Sequence, residues 1–163
     1  AGRFSSGQTV EGGAPYGLRT FRGRFQGISS GTKVSGRARM TLSQLVDLTD
    51  FDAYSFSIWA RLAEARGTGF SVSTFRTYAQ FLNAANASVG DPAIIYAAPS
   101  GSAALAALTG AGIATGRASV PRPAGATKVR VAAELAFNWS SGSGVATPTQ
   151  VQLLTDGFGV MVP

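Results

Sequence analysis

The sequence predicts an all-β fold, a single antiparallel β-sandwich of jelly-roll type. Apolar and polar residues alternate in several segments, and turn-forming residues separate those segments. Charged residues make up only 13% of the chain, and 21 of its 163 residues are glycine. Soluble domains usually contain about 25% charged residues. A helical bundle would need more Lys and Glu on its surface, so this composition favours short strands joined by many turns.

The clearest strand lies in residues 54–62. Large apolar side chains alternate there with polar ones, so that Trp59 and Arg61 fall on the face opposite Phe56 and Ile58. A half-buried strand of this kind needs neighbours that cover its apolar face. Residues 54–62 are therefore the predicted centre of the sandwich.

Strands are predicted on both sides of this centre in the chain. Residues 18–25 predict one or two edge strands, with a flexible arm as the alternative, and a strand is expected from residue 34 to about residue 48. The polar, glycine-bearing residues 64–69 predict a hairpin loop. Residues 70–77 are then the hairpin partner of the central strand, and residues 78–82 prolong the apolar pattern.

The middle of the chain is less regular. Residues 93–98 predict a short strand, and residues 115–120 precede a turn at residues 121–125. Residues 103–108 predict one or two helical turns, capped by Ser102 and ended by Gly110, with an Ala-rich loop as the alternative.

The C-terminal third alternates more cleanly. Residues 127–137 predict a strand in the layer that faces the central strand, and residues 140–144 predict a Gly/Ser loop. Residues 149–162 close the sandwich, with a turn or bulge at Asp156-Gly157.

Positive charge is concentrated near the N-terminus. The formal net charge is +6, and residues 1–40 contain seven basic residues against the single acid Glu11. We predict a basic Gly/Ser-rich arm or edge strands over residues 1–36, followed by the sandwich domain over residues 37–163. A basic segment before a neutral β-domain is also what a coat protein that binds nucleic acid would show. The candidate contacts in that alternative are Arg19, Arg22, Arg24, Arg37 and Arg39.

The residue types restrict the chemistry. The chain has no Cys and no His, which excludes disulfides, thiolate metal sites and His-based catalysis. Asp47, Asp50 and Asp52 lie close together, but their spacing matches no EF-hand loop, and turn capping explains them better. A pair of the eight carboxylates could hydrolyse glycosides, although no motif flanks one. We therefore predict a protein that is not an enzyme, with no catalytic residue, no metal and no cofactor. No apolar run is long enough to span a membrane.

Several short segments follow one another in an order that matches a known type of module. These are residues 2–7 as an opening strand, 14–19 as the next strand, 42–46 with 54–61 as a core pair, 120–131 as the penultimate strand with its entry turn, and 151–160 as the final strand with Asp156-Gly157-Phe158. Together they resemble the carbohydrate-binding, galactose-binding-like β-sandwich modules of glycan-active enzymes and of bacteriophage fibre and virion surface proteins.

This resemblance implies a virion or fibre surface module, in a virion or extracellular location, that binds a cell-surface glycan or decorates the particle. The expected partners are other virion proteins or further copies of the chain. The alternatives are a small jelly-roll coat protein that contacts nucleic acid, and a carboxylate-based glycoside hydrolase.

Aromatic side chains on polar sheet faces or in loops are the candidate sugar-binding residues. Such a ring can stack on a sugar, pack against a second layer or form an oligomer contact. If a glycan is bound, the expected contacts are Trp59, Arg61, Tyr78, Tyr96, Asn138 and Trp139.

Overall fold

The computed structural model describes residues 2–10, 19–27 and 31–162, apart from the side chains of residues 8–10 and 19, and it confirms the all-β prediction. A short helix, α1, spans Gly101–Leu108. The strands are β1 (Gly2–Val10), β2 (Arg19–Gly27), β3 (Val34–Asp47), β4 (Ala53–Arg66), β5 (Ser71–Leu82), β6 (Ala93–Ala97), β7 (Ile113–Pro121), β8 (Lys128–Ser141) and β9 (Gln150–Met161).

The strands form two antiparallel sheets. Sheet A has the order β1-β2-β9-β4-β7, and sheet B has the order β3-β8-β5-β6. From β2 onward, the two four-strand orders are those of an eight-stranded jelly roll. The first strand, β1, adds one more strand at the edge of sheet A. The basic N-terminal segment thus contributes β1 and β2 to the sandwich.

The core lies between the two sheets and is built by strand alternation. Tyr54, Phe56 and Ile58 of β4 point inward and are almost completely buried. The Phe56 ring meets Phe81 of the opposite sheet edge-to-face, with ring centroids 5.8 Å apart. Strand β8 also lies opposite β4, so the facing layer expected from residues 127–137 is confirmed.

The predicted hairpin between the central strand and residues 70–77 is wrong. Strand β4 pairs with β7 and β9, whereas β5 pairs with β6 and β8 in the other sheet. The connection after Arg66 crosses between the sheets, and the Thr68 amide donates to the Thr147 carbonyl at 2.8 Å. Gly67 adopts a φ of +125°, which a side chain rarely permits. Gly67 and Gly69, which resembled a hairpin loop, therefore lie in a corner where the chain passes from sheet A to sheet B. Strands β4 and β5 bury their apolar faces against each other across the core.

The helix closes the sandwich between β5 and β4. Its N-cap is Ser100, whose hydroxyl accepts from the Ala103 amide at 3.1 Å, so the predicted cap at Ser102 is displaced by two residues. A Cβ at Gly101 would lie 1.9 Å from the Val72 carbonyl oxygen. Only glycine therefore lets the helix begin this close to β5.

The C-terminal third differs from expectation at residues 140–144 and agrees with it at residues 156–157. Strand β8 runs to Ser141, so the loop predicted at residues 140–144 begins later than expected. The bulge expected at Asp156-Gly157 is confirmed, because Trp59 pairs with Asp156 whereas Ser57 pairs with Gly159. The helix of the described residues, α1, lacks the length and apolar character that crossing a membrane requires.

Candidate functional site

A shallow groove of about 340 Å³ runs along the outer face of sheet B. Its floor is Ala136 of β8, which points outward because its neighbours Leu135 and Phe137 point into the core. Longer side chains rise from the strands on either side, so the small residue leaves a depression between them. We call this depression the outer groove; its outward-pointing lining residues are Arg37, Arg39, Ser73, Thr74 and Ala136.

A β-bulge supplies the wall on the β5 side. Val72 pairs with Phe137 and Thr74 pairs with Ala136, so Ser73 is an extra residue in β5. Both Ser73 and Thr74 are exposed as a result. Bulges commonly re-aim side chains next to binding and active sites. Here the bulge places two hydroxyl groups, each able to donate and accept a hydrogen bond, at the edge of the groove.

A nearly buried carboxylate lies further along the same face. Glu134 is 8% exposed, and its Oε1 accepts from the Arg76 Nε at 3.0 Å. Arg39 is more distant, with 3.9 Å between its Nε and the same oxygen, and its side chain is 67% exposed. The Arg76 guanidinium also lies over the Tyr78 ring, 4.7 Å from its centroid. Arg76 is thus held on two sides, whereas Arg39 keeps most of its donors free for solvent.

The Tyr78 phenol lies beside these charges. Partial burial raises its pKa above the ordinary value, and the negative charge of Glu134 acts in the same direction. The neighbouring Arg76, Arg130 and Arg39 oppose this shift. Tyr78 therefore keeps its proton at neutral pH and offers an O–H donor.

A second depression of about 400 Å³ adjoins the outer groove. Arg37 lines both depressions, so they form one continuous track. Asn138 lines the second depression from β8, and its amide donates to the Ser71 hydroxyl at 2.8 Å. Trp139 also lines the depression, but strand alternation after the inward Phe137 turns its ring toward the core, where it packs against Phe25 with centroids 5.3 Å apart. The track therefore has arginine and hydroxyl groups at one end and the Asn138 amide at the other.

Trp59 and Arg61 lie elsewhere, on the outer face of sheet A. Trp59 is 6% exposed, and its Nε1 donates to the Ala111 carbonyl at 3.0 Å. The indole is therefore enclosed by the connection between α1 and β7 and holds that connection against β4. Arg61 is partly buried, and its Nε has no hydrogen-bond partner among the described residues.

The structure brings together only part of the predicted glycan set. Tyr78 and Asn138 share the outer face of sheet B, although about six residues of strand, roughly 20 Å, separate their levels. The Trp139 ring lies on the other side of the sheet, against Phe25 of the core. Tyr96, on the edge strand β6, instead packs against Phe75, with ring centroids 6.2 Å apart.

The arginines of the nucleic-acid alternative are divided between the two faces. Arg22 and Arg24 alternate with the inward Gly23 and lie on the outer face of sheet A. Arg37 and Arg39 lie on the outer face of sheet B. The side chain of Arg19 lies outside the described residues. The four described arginines thus form two separate surfaces.

Sequence reasoning missed Ser73, Thr74, Glu134 and Ala136. The bulge had one usable signal: Val72 and Phe75 are both buried but three positions apart, whereas strict alternation would put two or four positions between them. The groove floor had no such signal, because an outward alanine becomes a floor only when its neighbouring strands are known.

The described residues contain no group of acidic side chains that could hold a metal ion. Within the cluster of aspartates before β4, Asp50 accepts from Arg122 at 2.8 Å. That contact fits the turn-stabilising interpretation of the cluster.

No protein-family profile matches the chain, and no curated protein matches it. Among solved structures, the chain is similar to the enzymatically active domain of bacteriophage CBA120 tailspike protein 4. The two share 12% sequence identity with a TM-score of 0.48. The match covers 97% of this chain and 19% of the tailspike chain. A likeness this distant assigns neither an activity nor a ligand to this chain.

The comparison does correct one prediction. The expectation that the chain is not an enzyme is contradicted, because the tailspike structure that spans nearly all of it is described as enzymatically active. The lack of His had suggested otherwise, but carboxylate chemistry needs no His. Absence of activity is therefore no part of the function proposed below.

Proposed function

We propose that this chain is a saccharide-binding jelly-roll module and that the outer groove is its binding site. The observation that carries the proposal is the groove itself: an alanine floor bordered by two arginines and by the two hydroxyl groups of a β-bulge. Sugar hydroxyls need such donors and acceptors at the edge of a concave surface.

The second depression supports the same proposal. It extends the groove past Arg37 to the Asn138 amide and the Ser35 hydroxyl, which add hydrogen-bonding groups for a sugar. A track with hydrogen-bonding groups along its length suits an oligosaccharide better than a single sugar. Jelly rolls are also common among lectin and viral surface domains.

The setting we propose is a virion or fibre surface, with other virion proteins or further copies of the chain as partners. The resemblance of several segments to bacteriophage fibre and virion surface modules supports this setting. Among the described strands, β1 and β3 lie at sheet edges, where a neighbour in such an assembly can pair.

A groove-filling substitution tests the binding site. Ala136→Phe places a ring in the groove, whereas Ala114→Phe adds the same ring to an exposed position of the edge strand β7 in sheet A. The protein and both variants are applied to an oligosaccharide array, and the strongest ligand is then measured by calorimetry. We expect Ala136→Phe to weaken binding at least tenfold and Ala114→Phe to leave it unchanged.

Equal binding by both variants, with both folded, would place the site elsewhere. Product analysis of the incubated ligand accompanies the titration, because binding and cleavage both begin with occupation of the groove. Release of new reducing ends that stops in Ala136→Phe would make the groove an active site as well.

A further inference from the structure

We propose that the outer groove selects saccharides that carry a negative charge, such as uronic or sialic acids, and binds the acidic group through Arg37 and Arg39. This inference rests on the saccharide-binding function proposed above and adds the charge class of the ligand.

Positive charge exceeds negative charge on this face of sheet B. Arg37, Arg39, Arg76 and Arg130 surround the single carboxylate Glu134 at its centre. The only other acid on the described outer face, Asp47, is paired in register with Lys128 at the far end of β3. The centre of the face therefore carries an uncompensated positive charge.

The excess charge belongs to the two arginines that line the groove. Arg76 is neutralised by Glu134 at 3.0 Å and is further fixed over Tyr78. Arg39 reaches the same carboxylate only at 3.9 Å. Arg37 makes no ion pair and no side-chain hydrogen bond among the described residues. Glu134 thus neutralises mainly Arg76, and most N–H donors of Arg37 and Arg39 have no partner among the described residues.

The spacing of these two arginines suits one acidic group. They stand two residues apart on the same face of β3, so their Cα atoms are about 7 Å apart. Each guanidinium presents a fork of N–H donors that matches a carboxylate or sulfate. The Ser73 and Thr74 hydroxyls face them across the Ala136 floor and can bind the neutral part of the same sugar.

The extent of the surface favours an acidic saccharide over nucleic acid. The outer groove holds about 340 Å³, near the lower end of the roughly 300–1,000 Å³ range of small-ligand sites. A nucleic-acid backbone needs a row of phosphate contacts. Of the other described basic residues of the N-terminal segment, Arg3, Arg22 and Arg24 lie on the opposite sheet, and only Lys33 lies near the groove, beside the second depression.

The test uses paired probes that differ only in charge, 3′-sialyllactose with lactose and tetragalacturonate with galactotetraose. The double variant Arg37→Gln/Arg39→Gln is compared with Arg3→Gln/Arg22→Gln, which removes the same charge from the outer face of sheet A. We expect the wild type and the control to bind an acidic probe at least tenfold more tightly than its neutral partner. We expect the groove variant to lose this preference, so that it binds an acidic probe no more tightly than its neutral partner.

The outcomes separate this inference from the proposed function. Equal binding of acidic and neutral probes by the wild type would overturn the charge selectivity and leave saccharide binding intact. Equal losses in the groove variant and the control would mean general electrostatic attraction, and would also overturn it. Binding of none of the probes or array saccharides would overturn the proposed function and this inference together. Mixed-sequence RNA that binds more tightly than every saccharide and needs Arg37 and Arg39 would assign the groove to nucleic acid.

Discussion

At the scale of single residues, the charge of the groove depends on which arginine pairs with Glu134. A carboxylate that is 8% exposed must be paired, because an isolated buried charge is costly. Arg76 supplies that pairing and is itself stacked on Tyr78. This arrangement fixes three side chains in one geometry and leaves Arg37 and Arg39 free for a ligand.

The Tyr78 phenol gives a measurable consequence of this arrangement. Its pKa in the folded protein is above the ordinary value of 10.0, chiefly because of burial and then because of Glu134. The folded state therefore holds this proton at pH values where the unfolded chain has released it. The contribution of the Tyr78 proton to the free energy of unfolding is therefore fully present below pH 10. It is lost as pH rises through the pKa that Tyr78 has in the folded protein.

We expect the free energy of unfolding, measured in urea between pH 8 and 11.5, to fall more steeply for the wild type than for Tyr78→Phe. Ultraviolet titration should also show a phenol with a raised pKa that is lost in Tyr78→Phe, and Glu134→Gln should move the pKa of Tyr78 downward. Identical pH profiles for the wild type and Tyr78→Phe would contradict the assignment. Tyr96→Phe is the matched control, since Tyr96 has an equivalent phenol on the neighbouring strand β6.

At the scale of elements, the two sheets are joined by a polar contact inside the sandwich as well as by apolar packing. The Thr115 hydroxyl of β7 donates to the Ile58 carbonyl at 2.9 Å. Its oxygen therefore accepts from the Thr77 hydroxyl of β5, also at 2.9 Å. Both threonines are buried, so each hydroxyl depends on this chain of hydrogen bonds for a partner.

A double-mutant cycle tests this link. Thr115→Val removes the acceptor for Thr77 and should lower the free energy of unfolding by about 1–3 kcal/mol, because a buried hydroxyl is left unpaired. Thr77→Val/Thr115→Val removes both hydroxyls and should cost less than the sum of the single changes. Thr41→Val, at an exposed position of β3, should change stability little. Strict additivity of the two buried substitutions would show that the hydroxyls do not act as a pair.

Strand positions were predictable because each strand buries one face, so apolar and polar residues alternate along it. Residues 54–62 and 127–137 show this most clearly, and both lie within strands that face each other. Pairing was less predictable, because residues 64–69 have the composition of a hairpin loop and of a corner between sheets. Local residue types do not say which sheet a strand joins; the distant contact of Thr68 with Thr147 decides it.

The candidate site was less predictable still. Tyr78 and Asn138 were predicted as sugar contacts, and both lie on the outer face of sheet B. The place of Trp59 opposite Phe56 left sugar stacking and packing both open, and the segment after α1 covers its ring. The groove arises from Arg37, Ser73 and Ala136, which come from three strands distant in sequence. Only their register in the sheet makes them neighbours.

At the scale of the whole molecule, the jelly roll gives the protein two outer faces with different properties. The face of sheet B carries the groove, its two groove arginines and the adjoining second depression. The face of sheet A carries Arg22 and Arg24, and there Trp59 is enclosed by the chain itself. The central claim is that ligand recognition belongs to the face of sheet B.

Amide chemical-shift mapping tests this claim most directly. The ¹⁵N-labelled protein is titrated with tetragalacturonate, and shifts are followed on both sheets. The account predicts saturable shifts that cluster at Arg37–Arg39, Ser73–Thr74 and Ala136, and that disappear in Ala136→Phe. Saturable shifts confined to β2, β9 and β4, with none on β3 or β8, would contradict it.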